Sequence, residues 1–375
     1  MLYVWPDYYE KFKCIADRCE ATCCAGWQIV IDEEALERYE SEDSDYGAIL
    51  RDRIDWEEGV FHQDCRKRCA FLKEDNLCEM YQQLGEESLC FTCANYPRHI
   101  EEFENLREIT LAISCPEVAR IILEQKEPVG FVEEEIEEDE EEIEDFDPFF
   151  FSYLEDARKI MLAILQNRSL SMAVRAALVQ KMAEEMQEII EERDLFDLAD
   201  VFEKYEEEEK LIKAISEMEA ELRAFDEDPK EYFRYSKRVF DRLYELEHLT
   251  DDWEDYLEQC RKTLYGSGAE GYRDIQEKFK NWYLGGAGVN LDMEIILEQL
   301  LVYFVFTYFC GAVYDDNVIG EIRMSVDSVY IIYQMFAAKW AEQNGQLSVK
   351  DIRQIVYRYS RELEHSDVNL EIMEG

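Results

Sequence analysis

From residue 149 onward, apolar residues recur at three- and four-residue spacing. FFFSYLEDARKIMLAILQNR (149–168), SMAVRAALVQKMAEEMQEII (171–190) and EYFRYSKRVFDRLYELEHL (231–249) each gather such residues on one helical face, which predicts amphipathic helices whose stripes form a core. A helical domain is therefore expected over 149–375. The most hydrophobic stretch, IILEQLLVYFVFTYFCGAVY (295–314), is interrupted by Glu298 and Gln299. That leaves about 15 clean residues where a membrane span needs about 20. The stretch reads as a buried core helix, with peripheral membrane association as the alternative.

The first 130 residues show a different pattern, of short mixed segments. In VIDEEALERYE (30–40), Asp32 is placed as an N-cap with a helix behind it. NLREITLAISC (105–115) alternates as a short strand does. EEEIEEDEEEIED (133–145) holds eleven acids in thirteen residues, a density of like charge that favours an extended, solvated chain. The expected organisation is a small loop-rich α+β unit over 1–130, an acidic linker over 131–148 and an all-α domain over 149–375. The whole is mainly α.

Composition narrows the function. The 375 residues are 47% apolar and 13% aromatic, enough for a sizeable core. The start, MLYVWPDYYEKFKC, lacks a basic region followed by an apolar run, so no signal peptide is expected and the cytoplasm is the expected compartment. Net charge is -48, from 40 basic and 88 acidic residues. With no basic block to neutralise phosphates, nucleic acid is a poor partner. The acidity confers solubility, or it draws in cationic partners such as lysine-rich protein or a sulfonium cofactor.

Cysteine use carries the most information. Ten of the twelve cysteines lie within residues 14–115, and only Cys260 and Cys310 fall outside. In a reducing compartment such crowding points to metal ligands or reactive thiols. One group is Cys14, Cys19, Cys23 and Cys24. The other is Cys65, Cys69, Cys78, Cys90 and Cys93, followed by Cys115 in a Cys-Pro step. Thiolates at short spacing select zinc or iron–sulfur clusters, and either would staple a domain with little core of its own. Adjacent cysteines and a Cys-Pro step favour iron–sulfur ligation, and zinc is the alternative. Ten thiols exceed one cluster's need, so there are two sites or some cysteines are structural. The Cys-x3-Cys-x2-Cys spacing of radical S-adenosylmethionine enzymes is absent: the third positions are Leu72 and Gly26. LGGAGVN (284–290) follows a charged helix and reads as a turn, without the strand that a dinucleotide fingerprint requires.

Three segments carry a family resemblance: PDYYEKFKCIADRCEATCCAGWQIVID (6–32), CRKRCAFLKEDNLCEMYQQLGEESLCFTCANYPR (65–98) and YSRELEHS (359–366). Together they resemble the flagellin lysine-N-methylase family of bacteria, and the cysteine part is similar to a wider group of zinc- or iron-chelating, YkgJ-like proteins. The closer resemblance implies methyl transfer from S-adenosylmethionine to lysine ε-amino groups of flagellin before export, with a 4Fe–4S cluster involved. Carried over, the metal role falls on Cys14, Cys19, Cys23, Cys24, Cys65, Cys69, Cys78, Cys90, Cys93 and Cys115. Cys260 and Cys310 are read as core thiols. Polar lysine methylation needs a deprotonated amine, with a carboxylate or phenol to accept the proton. Such a route needs no cluster, so an obligatory metal acts in one-electron chemistry or as a structural element.

The tail helix stacks Tyr357, Arg361 and His365 at four-residue spacing. They are candidates for a catalytic or substrate pocket; the competing reading makes His365 a C-terminal helix charge and Arg361 a partner of a nearby carboxylate. His62 and His99 could complete a mixed Cys/His site, and His248 is expected on a helix surface. Two other functions compete with lysine methylation: a non-enzymatic chelating or sensing module that binds a protein partner, and a thiol redox protein built on Cys90–Cys93.

Overall fold

The computed structural model describes residues 1–138, 143, 146–285 and 292–375. Residues 139–142 and 144–145 of the acidic run, and 286–290 of LGGAGVN, lie outside the described residues.

Six strands are present among the described residues: β1 (Leu2–Pro6), β2 (Ile54–Asp55), β3 (Val60–Phe61), β4 (Arg98–Phe103), β5 (Leu106–Leu111) and β6 (Phe131–Glu135). Four form one sheet in the order β4-β5-β1-β6. β1 runs parallel to β5, with Leu2 opposite Leu106, and antiparallel to β6, with Trp5 opposite Val132. The first five residues of the segment expected as a linker are thus a sheet edge. Its glutamates are exposed, and charge on an edge strand discourages pairing with other chains.

Between β1 and β4 the chain makes an excursion holding α1 (Glu33–Glu40), α2 (Gly47–Asp52), α3 (Glu79–Leu84), α4 (Phe91–Asn95) and the β2–β3 hairpin. Its own small core includes Ile29, Ile31, Tyr39, Phe61, Phe71 and Met80. Asp32 caps α1 as the sequence predicts, accepting from the Ala35 amide at 2.9 Å. Its other oxygen accepts from the amide of Phe91, the first residue of α4, at 2.6 Å. One carboxylate thus fixes α1 and the Cys90–Cys93 turn together. Asp32→Ala is expected to cost ~1–2 kcal/mol, since both amides lose an ionised acceptor, read as a lower unfolding midpoint in urea.

After α5 (Pro116–Glu124) and β6, every described element is helical: α6 (Pro148–Leu165), α7 (Met172–Glu192), α8 (Leu198–Glu206), α9 (Glu208–Asp226), α10 (Pro229–Asp241), α11 (Trp253–Tyr265), α12 (Gly268–Leu284), α13 (Met293–Tyr308), α14 (Val318–Glu342), α15 (Val349–Glu364) and α16 (Asp367–Glu374). Helices α6, α7 and α10 occupy the three periodic segments.

The main core runs from Val4 through Leu111, Cys115 and Val118 to Met373, so the sheet and α5 pack directly on the helices. A buried ion pair ties them together. Arg158 of α6 donates to Glu108 of β5, with one contact at 2.6 Å, and lies over the Phe306 ring at 4.7 Å.

Met293–Val313 is long and apolar enough to cross a membrane, yet most of it is buried inside the protein. Glu298, which interrupts it, is fully buried and receives Arg175 at 2.6 Å and Arg168 at 2.8 Å. Its charge is met inside the core, as a buried helix requires.

Candidate functional site

All twelve cysteines are free thiols. Cys260 and Cys310 are buried in the main core. The other ten belong to the excursion and the start of α5, and their neighbours divide them. Cys69 and Cys90 are buried in the small core, with Cys24, Cys78 and Cys93 packed against it. The Cys69 amide donates to the Cys24 carbonyl at 2.9 Å. Cys115 caps α5 and is buried in the main core. Its thiol is pushed up to about 11, chiefly by burial, with Cys19 adding to the rise. Cys23 is raised by the hydrogen bond with Cys24, by burial, and by the sulfurs of Cys24, Cys14 and Cys115. Cys65 is exposed, on the Asp64–Arg68 turn.

A sulfur-only donor set fits a soft metal in kind. Among the described residues, however, no group of three or more His, Cys, Asp or Glu side chains is gathered tightly enough to hold an ion.

The tail candidates converge on this region. Arg361 does not meet a carboxylate. It donates to the carbonyls of Ser114 at 3.0 Å and Ala21 at 2.6 Å, pinning the Cys19–Cys24 loop to the residue before Cys115. Tyr357 is buried beside the Arg361 guanidinium at 5.7 Å. His365 is not a helix-end charge. Burial and the neighbouring Arg361 push its imidazole down to about 3, so it is neutral, with Nε2 3.0 Å from the Ser114 hydroxyl. Its ring lies 4.4 Å from Trp27 and edge-on to Tyr96 at 6.0 Å.

These rings wall a cleft of about 530 Å³ between the excursion, the sheet and α13/α15. Sequence reasoning missed its polar floor. Glu364 accepts from Tyr303 at 2.7 Å and from Ser360, and Tyr308 reaches the same carboxyl. Burial raises the Glu364 carboxyl above its ordinary range, and the three hydroxyls only partly offset that. His99 stands nearby, its Nε2 2.7 Å from a carboxylate oxygen of Glu101. The signal for this floor was present in the sequence: tyrosines inside the apolar 295–314 stretch bury a hydroxyl that must find an acceptor.

His62 joins no such cluster among the described contacts. His248 is not on a helix surface: it lies in the turn before α11, with Nε2 3.3 Å from the Leu243 carbonyl. A larger groove of about 670 Å³ among α6–α9 is lined mainly by aliphatic side chains and helix-surface polar groups.

Aromatic faces, a basic-poised carboxylate and phenols in one cleft can receive an organic cation and take up its proton. A lysine-N-methylase of Salmonella typhimurium (strain LT2) and one of Salmonella choleraesuis (strain SC-B67) are each 29% identical to this chain over 140 residues, 35% of this chain and 35% of theirs. The flagellar biosynthetic protein FliU of Salmonella muenchen is 29% identical over 137 residues, 34% of this chain and 80% of FliU. The match thus spans about a third of the lysine-N-methylases' length. No solved structure matches. Residues 158–375, more than half of the chain, match the FliB lysine N-methylase C-terminal domain, and the chain belongs to that family.

Proposed function

We propose that this chain is an S-adenosylmethionine-dependent protein-lysine N-methyltransferase, with flagellin as its substrate, and that the cleft floored by Glu364 receives the lysine. The observation that carries this reading is the cleft itself. A lysine ammonium entering along Trp27, Tyr96 and Tyr308 exchanges water for aromatic faces, which favours a cation. At the floor, Glu364 takes a proton from the ammonium, leaving the amine lone pair free. Bound S-adenosylmethionine would supply the methyl group as a sulfonium and leave as a neutral thioether, and charge and atoms would balance once Glu364 releases its proton to solvent. The chain's net charge of -48 favours approach of both cationic reactants.

The cysteine unit abuts this cleft through Trp27, whose indole N–H donates to the Cys23 carbonyl at 2.7 Å. An iron–sulfur cluster held by these thiols belongs to the same reading, either in methyl transfer or as a brace for the cleft wall.

The test is to incubate protein purified without oxygen with flagellin and S-adenosylmethionine carrying a deuterated methyl group, then map flagellin peptides by mass spectrometry. Deuterated methyl-lysine on flagellin is the expected result. Failure to label flagellin, with the protein folded and metal-replete, overturns the reading.

A further inference from the structure

We propose that Arg98, lining the Glu364 cleft, is the carboxylate-binding residue of the methyl-donor site and holds the amino-acid end of S-adenosylmethionine. This rests on the methyltransferase reading and names the residue that anchors the donor.

Charge gives the first argument. A chain of net charge -48 attracts the donor's sulfonium and repels its carboxylate, so that end needs a cation within the site. Among the described residues lining the cleft, Arg98 is the one arginine or lysine. His365, buried and neutral, cannot serve.

Pairing gives the second. Arg98 opens β4, and basic groups beside it are already met: His99 faces Glu101 at 2.7 Å, and Arg107 of β5 faces Glu102 at 2.6 Å. Arg98 meets no carboxylate among the described residues, in a chain with 88 acidic side chains to choose from.

The guanidinium is nevertheless held in place. Its Nε donates to the Tyr9 hydroxyl at 2.8 Å, and Nη1 reaches the Asn95 carbonyl at 3.5 Å. The group lies 5.8 Å from the centre of the Tyr9 ring and 5.9 Å from that of Phe12. Both rings pack against the main core, so the fork is oriented by ordered aromatic faces rather than left on a free side chain. Nη2 keeps its N–H groups without a partner among the described residues. A pre-oriented guanidinium with donors to spare takes a carboxylate through charge-assisted hydrogen bonds. Asn95, which also lines the cleft, spends its side-chain N–H on the Phe91 carbonyl at 3.0 Å. Its amide oxygen is then available to accept from the α-ammonium beside that carboxylate.

The experiment titrates S-adenosylmethionine and its decarboxylated analogue, which keeps the sulfonium and the adenosine, into full-length protein purified without oxygen. Calorimetry gives the ratio of the two affinities for wild type, Arg98→Gln and Arg98→Lys. Arg98 is exposed, so the variants keep their fold, checked by circular dichroism. Preference for the carboxylated donor is expected to fall roughly tenfold in Arg98→Gln, the scale of a charge-assisted hydrogen bond that water can reach. Arg98→Lys, which keeps the charge and loses the fork, is expected to fall between. A folded Arg98→Gln with the wild-type ratio overturns the carboxylate subsite and leaves methyl transfer standing. Wild type that binds neither compound overturns the methyltransferase reading as well. Weaker binding of flagellin by Arg98→Gln, with both donor affinities unchanged, assigns the guanidinium to a carboxylate of the protein substrate and overturns the proposal too.

Discussion

Glu364→Gln is expected to slow methyl transfer by roughly 10²- to 10⁴-fold, the range spanned by losing a positioned proton acceptor. Glutamine keeps the shape of the side chain: its carbonyl oxygen can accept from a tyrosine hydroxyl while its amide nitrogen donates to the Ser360 oxygen, so the cleft retains its form. What it lacks is a carboxylate able to take the ammonium proton, so the loss falls on kcat rather than KM. The pH dependence follows from the same group. Burial raises the Glu364 carboxyl above the ordinary carboxylate range, and only the ionised form accepts a proton. Wild-type rate should therefore fall as pH drops through that raised value, and this acid limb should vanish in the variant. Initial rates of methyl incorporation across pH decide it. A variant with wild-type rate, or an unchanged acid limb, removes Glu364 from the chemistry.

The largest loss of stability is expected at Glu298→Ala, about 3–5 kcal/mol. Glu298 is fully buried and Arg175 is 2% exposed to solvent; removing the carboxylate takes away the guanidinium's closest anionic partner, with no water to replace it. The Leu165 carbonyl, which Arg175 also meets at 2.6 Å, carries no charge, and Glu294, part-exposed and 3.6 Å from the guanidinium, compensates only in part. Urea denaturation should show a much lower midpoint with little change in slope. Replacing Glu298 and Arg175 together by apolar residues of similar volume should recover much of the loss, because the main cost lies in one unpaired charge. A single variant within ~1 kcal/mol of wild type would mean that water reaches the pair.

The helices were legible because their spacing repeats within one segment, and Asp32 because a cap is a local device. The sheet was only half legible. Leu106–Leu111 alternates, but β1 is five residues long, and Phe131–Glu135 carries the charge of a solvated chain. Both are strands because they pair with each other across more than a hundred residues, and local pattern holds no record of a partner that far away. The candidate site divides in the same manner. Four-residue spacing picked out Arg361 and His365, which do reach the thiol region. It missed Glu364, one residue away, because that acid acquires its role only from Tyr303 and Tyr308 on another helix. The cysteine runs likewise do not follow the packing: Cys24 lies against the small core with the later run, while Cys115 is buried in the main core.

The thiol excursion leaves the sheet at Pro6 and returns at Arg98, with a core separate from the one that holds the helices. Such an insertion can open as a cooperative unit while the rest stays closed. Its local opening free energy, rather than that of the whole molecule, then sets how often the walls beside Trp27 and Tyr96 part. Oxidation of the thiols would accordingly be felt first as faster amide exchange between residues 13 and 97, with the helices still protected, so the chain would lose its cleft wall well before it lost its fold.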